Sequence, residues 1–241
     1  MKRTFDIIFS FIGLLFFMPL IIFICLIIFF KDKSSPIYIA KRVGLNGKDF
    51  KMVKIRTMII NADSNGVNST PDNDPRVTKI GHFLRKYKLD ELPQLFNILK
   101  GQMSFVGPRP NVKSDTNLYS YREKSLLSIS PGLTDFASIV FSDESLILKN
   151  SSNPNLSYNQ LIRPGKSLLG LFYVKKKNIF LDICLIIITI INVFSRPKSL
   201  KLITYLLKKL KASNKLIEIA SRKKPLEPSI PPGAKEIVRE C

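Results

Sequence analysis

The chain has no tryptophan, one histidine (His82) and three cysteines, Cys25, Cys184 and Cys241, in 241 residues. A lone histidine without neighbouring cysteines all but excludes a zinc centre and a serine-histidine-aspartate triad. His82 is expected at the surface or half-buried. The cysteines show no disulfide or ligand spacing, and two lie inside apolar runs, which points to a reducing, cytoplasmic setting for the water-exposed part. Acid is scarce too: 18 Asp+Glu oppose 38 Lys+Arg, a formal charge of +20. That excess calls for a polyanionic partner: nucleic acid, an anionic bilayer or phosphorylated substrates. The apolar runs favour the bilayer, so no nucleic acid is expected.

Ile7 to Phe30 carries no charge. At ~1.5 Å per residue it is long enough for a hydrocarbon core of about 30 Å. Pro19 lies at its middle, where it removes a backbone hydrogen bond and crowds the preceding turn, so a bend is expected near Met18 and Pro19. Lys2 and Arg3 precede the run, and Lys31, Lys33, Lys41 and Arg42 follow it. Cations on both flanks favour a re-entrant helix that dips into one leaflet and returns, with Pro19 as the membrane helix break. A kinked signal-anchor is the alternative. Ile179 to Phe194 is apolar but short and holds Asp182, Thr189 and Asn192, so it should lie in the interface or in the core. Leu200, Ile203, Leu206, Leu207 and Leu210 recur at helical spacing opposite Lys198, Lys201, Lys208 and Lys209. This is a basic amphipathic helix, either resting on anionic lipid or packed on the domain. From Ser221 onward Pro225, Pro228, Pro231, Pro232 and Gly233 break any regular element, and the tail is expected to be extended or disordered.

Residues that carry chemistry concentrate between Asp74 and Pro110. Gly81 to Tyr87 reads as a helix, and Pro93 to Lys100 as a second short one ended by Gly101. Asp90 and Glu91 then sit at a helix N-terminus, where unpaired N–H groups and the positive dipole end favour carboxylates and bound phosphate. An ordinary cap with a first-turn acid has the same composition. Gln102 to Val106 reads as a strand leading into Gly107-Pro108-Arg109-Pro110. Pro108 and Pro110 lock that turn and narrow the directions of Arg109, whose guanidinium fork suits phosphate; a rigid surface turn is the bland reading. Lys41-Arg42-Val43-Gly44 reads as a turn and Phe50 to Met58 as a strand, with Lys54 and Arg56 on a hairpin edge facing phosphate or headgroup. Arg76 and Arg85 carry phosphate or brace the carboxylates, bracing being favoured for Arg76. Asp72-Asn73-Asp74 could hold a metal-bound nucleotide sugar as in ordinary glycosyltransferases, yet the strand and helix alternation of such enzymes is missing.

The series Asp74-Pro75-Arg76-Val77-Thr78, Leu84-Arg85, Leu89-Asp90-Glu91-Leu92-Pro93-Gln94 and Val106-Gly107-Pro108-Arg109-Pro110 resembles the bacterial sugar transferase family. These are monotopic phosphoglycosyl transferases acting on polyprenyl phosphate, and the likeness, to their compact form, extends roughly from Lys2 to Ile191. It implies that Asp90 is the nucleophile on the sugar-linked phosphorus of a UDP-sugar and that Glu91 is a ligand of Mg²⁺. Arg109, in its Pro108 and Pro110 turn, would contact the nucleotide phosphate, with Arg76, Arg85, Lys54 and Arg56 as further phosphate-binding residues. The implied reaction moves a sugar-1-phosphate from UDP-sugar to polyprenyl (undecaprenyl) phosphate and releases UMP. It would take place at the bacterial inner membrane with the catalytic domain facing the cytoplasm. Inner membrane lipids are further partners, and a homo-oligomer stays open. The expected fold is α+β and mainly helical, membrane-associated, with a small β-hairpin. Its expected parts are a re-entrant membrane helix (1–33), the catalytic domain with interfacial helices (34–195), and the basic helix and tail (196–241). Met18 stands where many relatives have serine, and after Pro131-Gly132-Leu133-Thr134, which resembles the family's turn following the catalytic block, Asp135-Phe136 stands where many have glycine-tryptophan. A glycosyltransferase releasing UDP and a non-catalytic membrane scaffold are the alternatives.

Overall fold

Asp6, Ser10, Leu14, Ile21, Ile24 and Ile28 recur at intervals that line up one face of a helix. In the computed structural model, which describes residues 1–62, 70–72 and 74–239, they form the buried stripe of a single helix, α1 (Lys2–Asp32). The helix runs through Pro19 uninterrupted, so the expected break does not divide it in two. Proline removes only one hydrogen bond there, and the preceding Phe17 and Met18 pack against the domain.

Both ends of α1 are tied to the same body. Arg3 donates to the carbonyls of Ile98 and Leu99 at 2.6 and 2.7 Å, and Lys2 donates to Val106 O at 3.0 Å and pairs with Asp182. At the far end the Asp32 carboxylate accepts two bonds of 2.7 Å from Arg56. Flanking cations that read as markers of membrane sidedness therefore also dock the helix.

Strands β1 (Ile37–Val43) and β2 (Asp49–Ile55) form an antiparallel hairpin with Tyr38 opposite Lys54. Lys41, Arg42 and Val43, expected in a turn, belong to β1; the turn is closed by Gly44 N donating to Lys48 O at 2.8 Å. Helices α2 (Lys79–Lys86) and α3 (Gln94–Leu99) follow, near their expected bounds. Strand β3 (Ser104–Val106) lies, beyond α4 (Lys113–Asn117), parallel to β4 (Gly132–Thr134). Gly132 to Thr134, read as a turn, is thus a strand. It pairs so closely that a Cβ on Gly132 would meet Gly107 N at 2.0 Å.

The rest is helical: α5 (Phe136–Val140), α6 (Glu144–Ile147), α7 (Pro154–Ser157), α8 (Arg163–Lys176), α9 (Ile179–Phe194), α10 (Arg196–Lys209) and α11 (Asn214–Ser221). The largest core gathers around Phe136, Leu169, Tyr173, Leu185 and Ile203. Two smaller cores sit under α1, one joining Leu14 to Met52 and Leu95, the other joining Ile24 and Ile28 to Ile55 and Leu84.

Helix α9 divides its faces, burying Leu181, Leu185 and Ile188 while leaving Phe180, Ile187 and Phe194 exposed. Helix α10 buries Ile203 and Leu207 in the core, so its apolar side is used within the domain, and Lys198, Lys201, Lys208 and Lys209 point outward. After α11 the tail is extended and lies on the domain. Ser229 N donates to Gln160 O at 3.1 Å, Gln160 Nε2 donates to Val238 O at 2.8 Å, and Ser120 Oγ donates to Pro232 O. Cys241 lies outside the described residues.

Candidate active site

The N-terminus of α2 sits so tightly on the chain leaving β2 that a Cβ on Gly81 would meet Thr57 O at 2.0 Å. Only glycine permits that approach, and it brings Arg85 within reach of Thr57, to whose Oγ1 it donates at 2.9 Å. Beyond α2, Lys88 takes the left-handed conformation (φ 56°) and swings the chain into a 3₁₀ turn, Leu89–Glu91. For a lysine this geometry costs about 1 kcal/mol or more, and such strain gathers at functional sites. Glu91 N donating to Lys88 O at 3.2 Å holds it. Asn97 fastens α3 to β2 by accepting from Val53 N at 2.9 Å and donating to Lys51 O at 2.7 Å. The Arg3 bonds to the last carbonyls of α3 satisfy the opposite end of that helix. Asp90 and Glu91 are thereby presented from a short element fixed at both ends.

The two carboxylates stand in different surroundings. Arg109 grips both oxygens of Glu91, with Nη1 to Oε2 at 3.2 Å and Nη2 to Oε1, and Lys54 Nζ lies 3.2 Å from Oε1. Asp90 makes no hydrogen bond to another described residue; Lys54 Nζ is 4.0 Å from its Oδ2. Burial pushes the Asp90 carboxyl up, Lys54 partly opposing this and Glu91 reinforcing it. Burial acts on Glu91 in the same sense, but Arg109, Lys54 and Lys88 outweigh it and hold that carboxyl well below the usual range. Arg109 in turn is held protonated by Glu91. Environment thus separates an ion-paired carboxylate from a less engaged one.

Lys54, Arg56, Arg76, Arg85, Asp90, Glu91 and Arg109 all line one cleft of about 980 Å³. Their jobs differ. Arg56 is spent on Asp32 and, through Nε, on Ser35 O at 2.7 Å, so it fastens α1 and is not presented to phosphate as expected. Arg76 braces, but its partner is Asp74, gripped through Nε at 3.0 Å and Nη2 at 2.7 Å, and not the Asp90 and Glu91 pair. Arg85, with Thr57 Oγ1 as its hydrogen-bonding partner, is the arginine best presented to an anion. Pro108 and Pro110 lie outside this cleft. They hold the Arg109 turn, which Gly132 N donating to Pro108 O at 3.0 Å pins to β4.

The aspartate triplet offers no metal site among the described residues. Both Asp74 oxygens go to Arg76, Asp72 pairs with Lys149 at 3.5 Å, and Asn73 lies outside the described residues. Asp135 caps α5: it accepts from Ser138 N at 2.7 Å while Ser138 Oγ accepts from Asp135 N at 2.8 Å. His82 is exposed.

No group of three or more His, Cys, Asp or Glu gathers among the described residues. Magnesium, however, is commonly held by one or two carboxylates together with phosphate oxygens and water. Glu91, now held by Arg109 and Lys54, is the carboxylate that would hold a metal arriving with a diphosphate.

Among the lining residues that sequence reasoning missed are Lys88, Ser138, Glu144 and Lys166. A left-handed lysine carries no sequence signal, since that conformation is the habit of glycine and asparagine. The others reach the cleft only through the packing of α5, α6 and α8.

Several known proteins are similar to this chain. A protein of Bacillus subtilis (strain 168), provisionally named an undecaprenyl-phosphate N-acetylgalactosaminyl 1-phosphate transferase, is 48% identical over 45% of this chain and 61% of its own. The exopolysaccharide production protein ExoY of Rhizobium meliloti (strain 1021) is 42% identical over 55% of this chain and 66% of its own. The undecaprenyl-phosphate glucose phosphotransferase of Komagataeibacter xylinus is 34% identical over 81% of this chain and 36% of its own. The chain therefore spans less than two thirds of the length of these relatives. Residues 1–196 match the model of the family described as bacterial sugar transferase, and with the Asp90 and Glu91 pair and the Pro-Arg-Pro turn inside that match, the chain belongs to the bacterial sugar transferase family.

Proposed function

We propose that this protein transfers a sugar-1-phosphate from a UDP-sugar to a polyprenyl phosphate, releasing UMP, at the cytoplasmic face of the bacterial inner membrane. The observation that carries the reading is the unequal pair: a buried carboxylate without a hydrogen-bonding partner among the described residues, beside one held by Arg109 and Lys54, in a cleft lined by cations. The names of relatives, which specify galactose or glucose transfer to undecaprenyl phosphate, support the substrate class.

In this reading an Asp90 oxygen attacks the sugar-linked phosphorus. The bond between that phosphorus and the bridging oxygen breaks, and UMP departs with the electron pair. Arg85 and Arg109 bind the diphosphate and hold it in line with Asp90, while Lys54 keeps Asp90 ionised despite its burial. The acyl phosphate on Asp90 is then attacked by an oxygen of the polyprenyl phosphate, which frees the carboxylate. Magnesium, carried on the diphosphate and held by Glu91, would supply charge neutralisation. Many apolar side chains of α1 are exposed, among them Phe16, Phe23 and Phe30, a surface far too greasy for water and suited to a lipid substrate's membrane.

The test is to incubate the protein with single UDP-sugars in the absence of polyprenyl phosphate. At most one UMP per active site should appear, with a phosphosugar mass on the peptide containing Asp90. Adding polyprenyl phosphate should discharge the adduct and restore turnover. Asp90→Asn should lose on the order of 10⁴ in rate and form no adduct. Release of UDP in place of UMP would end this reading in favour of direct glycosyl transfer.

A further inference from the structure

Among the described residues, the cleft contains one carboxylate that the proposed chemistry does not use. Glu144, on α6, lines the cleft that holds Asp90 and Glu91, together with Ser142 and Ser145. Its one ion pair among the described residues is to Lys166 of α8. The Ser142 and Ser145 hydroxyls bond to no other described residue. A negative charge repels phosphate, so Glu144 is not placed to bind the diphosphate. Carboxylate and hydroxyl oxygens are what neutral hydroxyl groups require: strong acceptors, with serine hydroxyls able to donate as well.

How this wall is held is the second observation. Asp143 Oδ2, next to Glu144, accepts from Arg196 at 2.8 Å and from Arg222 at 3.1 Å. The Arg222 guanidinium also lies over the ring of Phe141, 5.3 Å from its centroid, and Phe141 lines the cleft. Arg222 ends α11 in the left-handed conformation (φ 50°), with Leu216 and Ala220 of that helix anchored in the main core. Asp143 Oδ1 and Arg222 Nε and Nη1 are buried without a hydrogen-bonding partner among the described residues, and the wall is held as well by Asp72 N donating to Ser145 O at 3.0 Å and by Phe141 and Leu148 in the main core. Arg222 lies beyond residue 196, where the family match ends.

The geometry points to residues 142–145 as the hydroxyl-reading wall of the donor site. Glu144 accepts hydrogen bonds from adjacent hydroxyls on the neutral part of a nucleotide sugar, and Arg222 is the positioning residue that sets Glu144 through Asp143 and Phe141. The inference rests on the donor being a nucleotide sugar, as proposed above. Adjacent hydroxyls occur on the transferred sugar and on the ribose, and the experiment separates the two.

The full chain in anionic vesicles is assayed for UMP release with the epimer pairs UDP-glucose and UDP-galactose, and UDP-N-acetylglucosamine and UDP-N-acetylgalactosamine. Inhibition by UMP is measured in parallel. Losing a hydrogen bond to a charged acceptor should cost about tenfold or more in kcat/KM for the preferred donor. We expect Glu144→Gln to show this loss mainly in KM and to shrink the preference between epimers, with UMP inhibition unchanged. Arg222→Met should move in the same direction, and Arg222→Lys should recover most of the epimer preference, which a merely structural role would not restore selectively. If Glu144→Gln weakens UMP and every donor alike, the hydroxyls are those of the ribose. Donor preference and UMP inhibition both unchanged in Glu144→Gln would overturn the proposal, whether or not Arg222→Met folds. A wild type that releases no UMP from any donor would instead overturn the reaction. The wall is then judged by calorimetric binding of UDP and the four UDP-sugars, where equal affinities in wild type and Glu144→Gln overturn it.

Discussion

At the scale of single residues, the division of labour between Asp90 and Glu91 comes from what touches each, since the two are adjacent in sequence and alike in chemistry. A nucleophilic carboxylate must be ionised, and burial raises the pH at which Asp90 becomes so. The acid limb of kcat/KM should therefore lie above the ordinary aspartate range of about 4. Lys54 is the first cation opposing that shift, so Lys54→Met should carry the limb to still higher pH; a limb that stays put or moves down would disconnect Lys54 from Asp90. Glu91 has the opposite sign. Its carboxyl is depressed in the folded state, so it contributes stability above the ordinary glutamate range, and this is lost as pH falls toward its folded value. Glu91→Gln should be severely slowed, with a residual rate that depends on Mg²⁺ differently from the wild type; identical magnesium curves would remove the metal from Glu91. The pair itself was legible because it lies in one unbroken stretch with its proline. Its partners were only half legible: Arg109 stands out by its flanking prolines, but nothing in the sequence says that it grips Glu91, or that Arg56 and Arg76 are spent on Asp32 and Asp74.

At the scale of elements, α1 acts as a splint. Arg3 holds the end of α3, Lys2 holds β3 and α9, and Asp32 holds the residue after β2, so the helix ties together the elements around the Asp90 and Glu91 turn. The break expected at Pro19 does not divide the helix, whose length and apolar character were plain in the sequence. Its docking was not, because positive flanks look the same whether they face lipid headgroups or helix carbonyls. A helix tied to one body at both ends should leave both ends on one side of a membrane. Single cysteines at positions 1 and 45, introduced after replacing the native ones, should label only from the cytoplasmic side of oriented vesicles. Labelling of position 1 from the outer side would mean a spanning helix and would undo the docking of Lys2 and Arg3. Strand β4 shows the opposite failure: Pro131 and Gly132 read as a turn because the strand is three residues long, and its partner β3 is supplied from far earlier in the chain.

At the scale of the whole molecule, a charge of +20 and a large exposed apolar surface call for the same partner, an anionic bilayer, but by forces that salt separates. Attraction of exposed lysines to anionic lipid fades as the screening length falls from about 10 Å at 0.1 M salt to about 3 Å at 1 M, whereas burial of apolar side chains in lipid does not. Helix α9 offers a clean place to measure this. Phe180 and Phe194 are 78% and 80% exposed on the side away from the core, so replacing both with aspartate removes nothing that holds the fold. Just before that helix Lys175, Lys176 and Lys177 are exposed. If the outer face of α9 enters the interface, the Phe180→Asp, Phe194→Asp variant should bind anionic vesicles more weakly at both salt concentrations, with an unchanged melting temperature. Replacing the three lysines with glutamine should weaken binding only at low salt. Vesicle binding by the double aspartate variant equal to that of the wild type would take α9 out of the membrane contact and leave α1 as the apolar element that meets lipid.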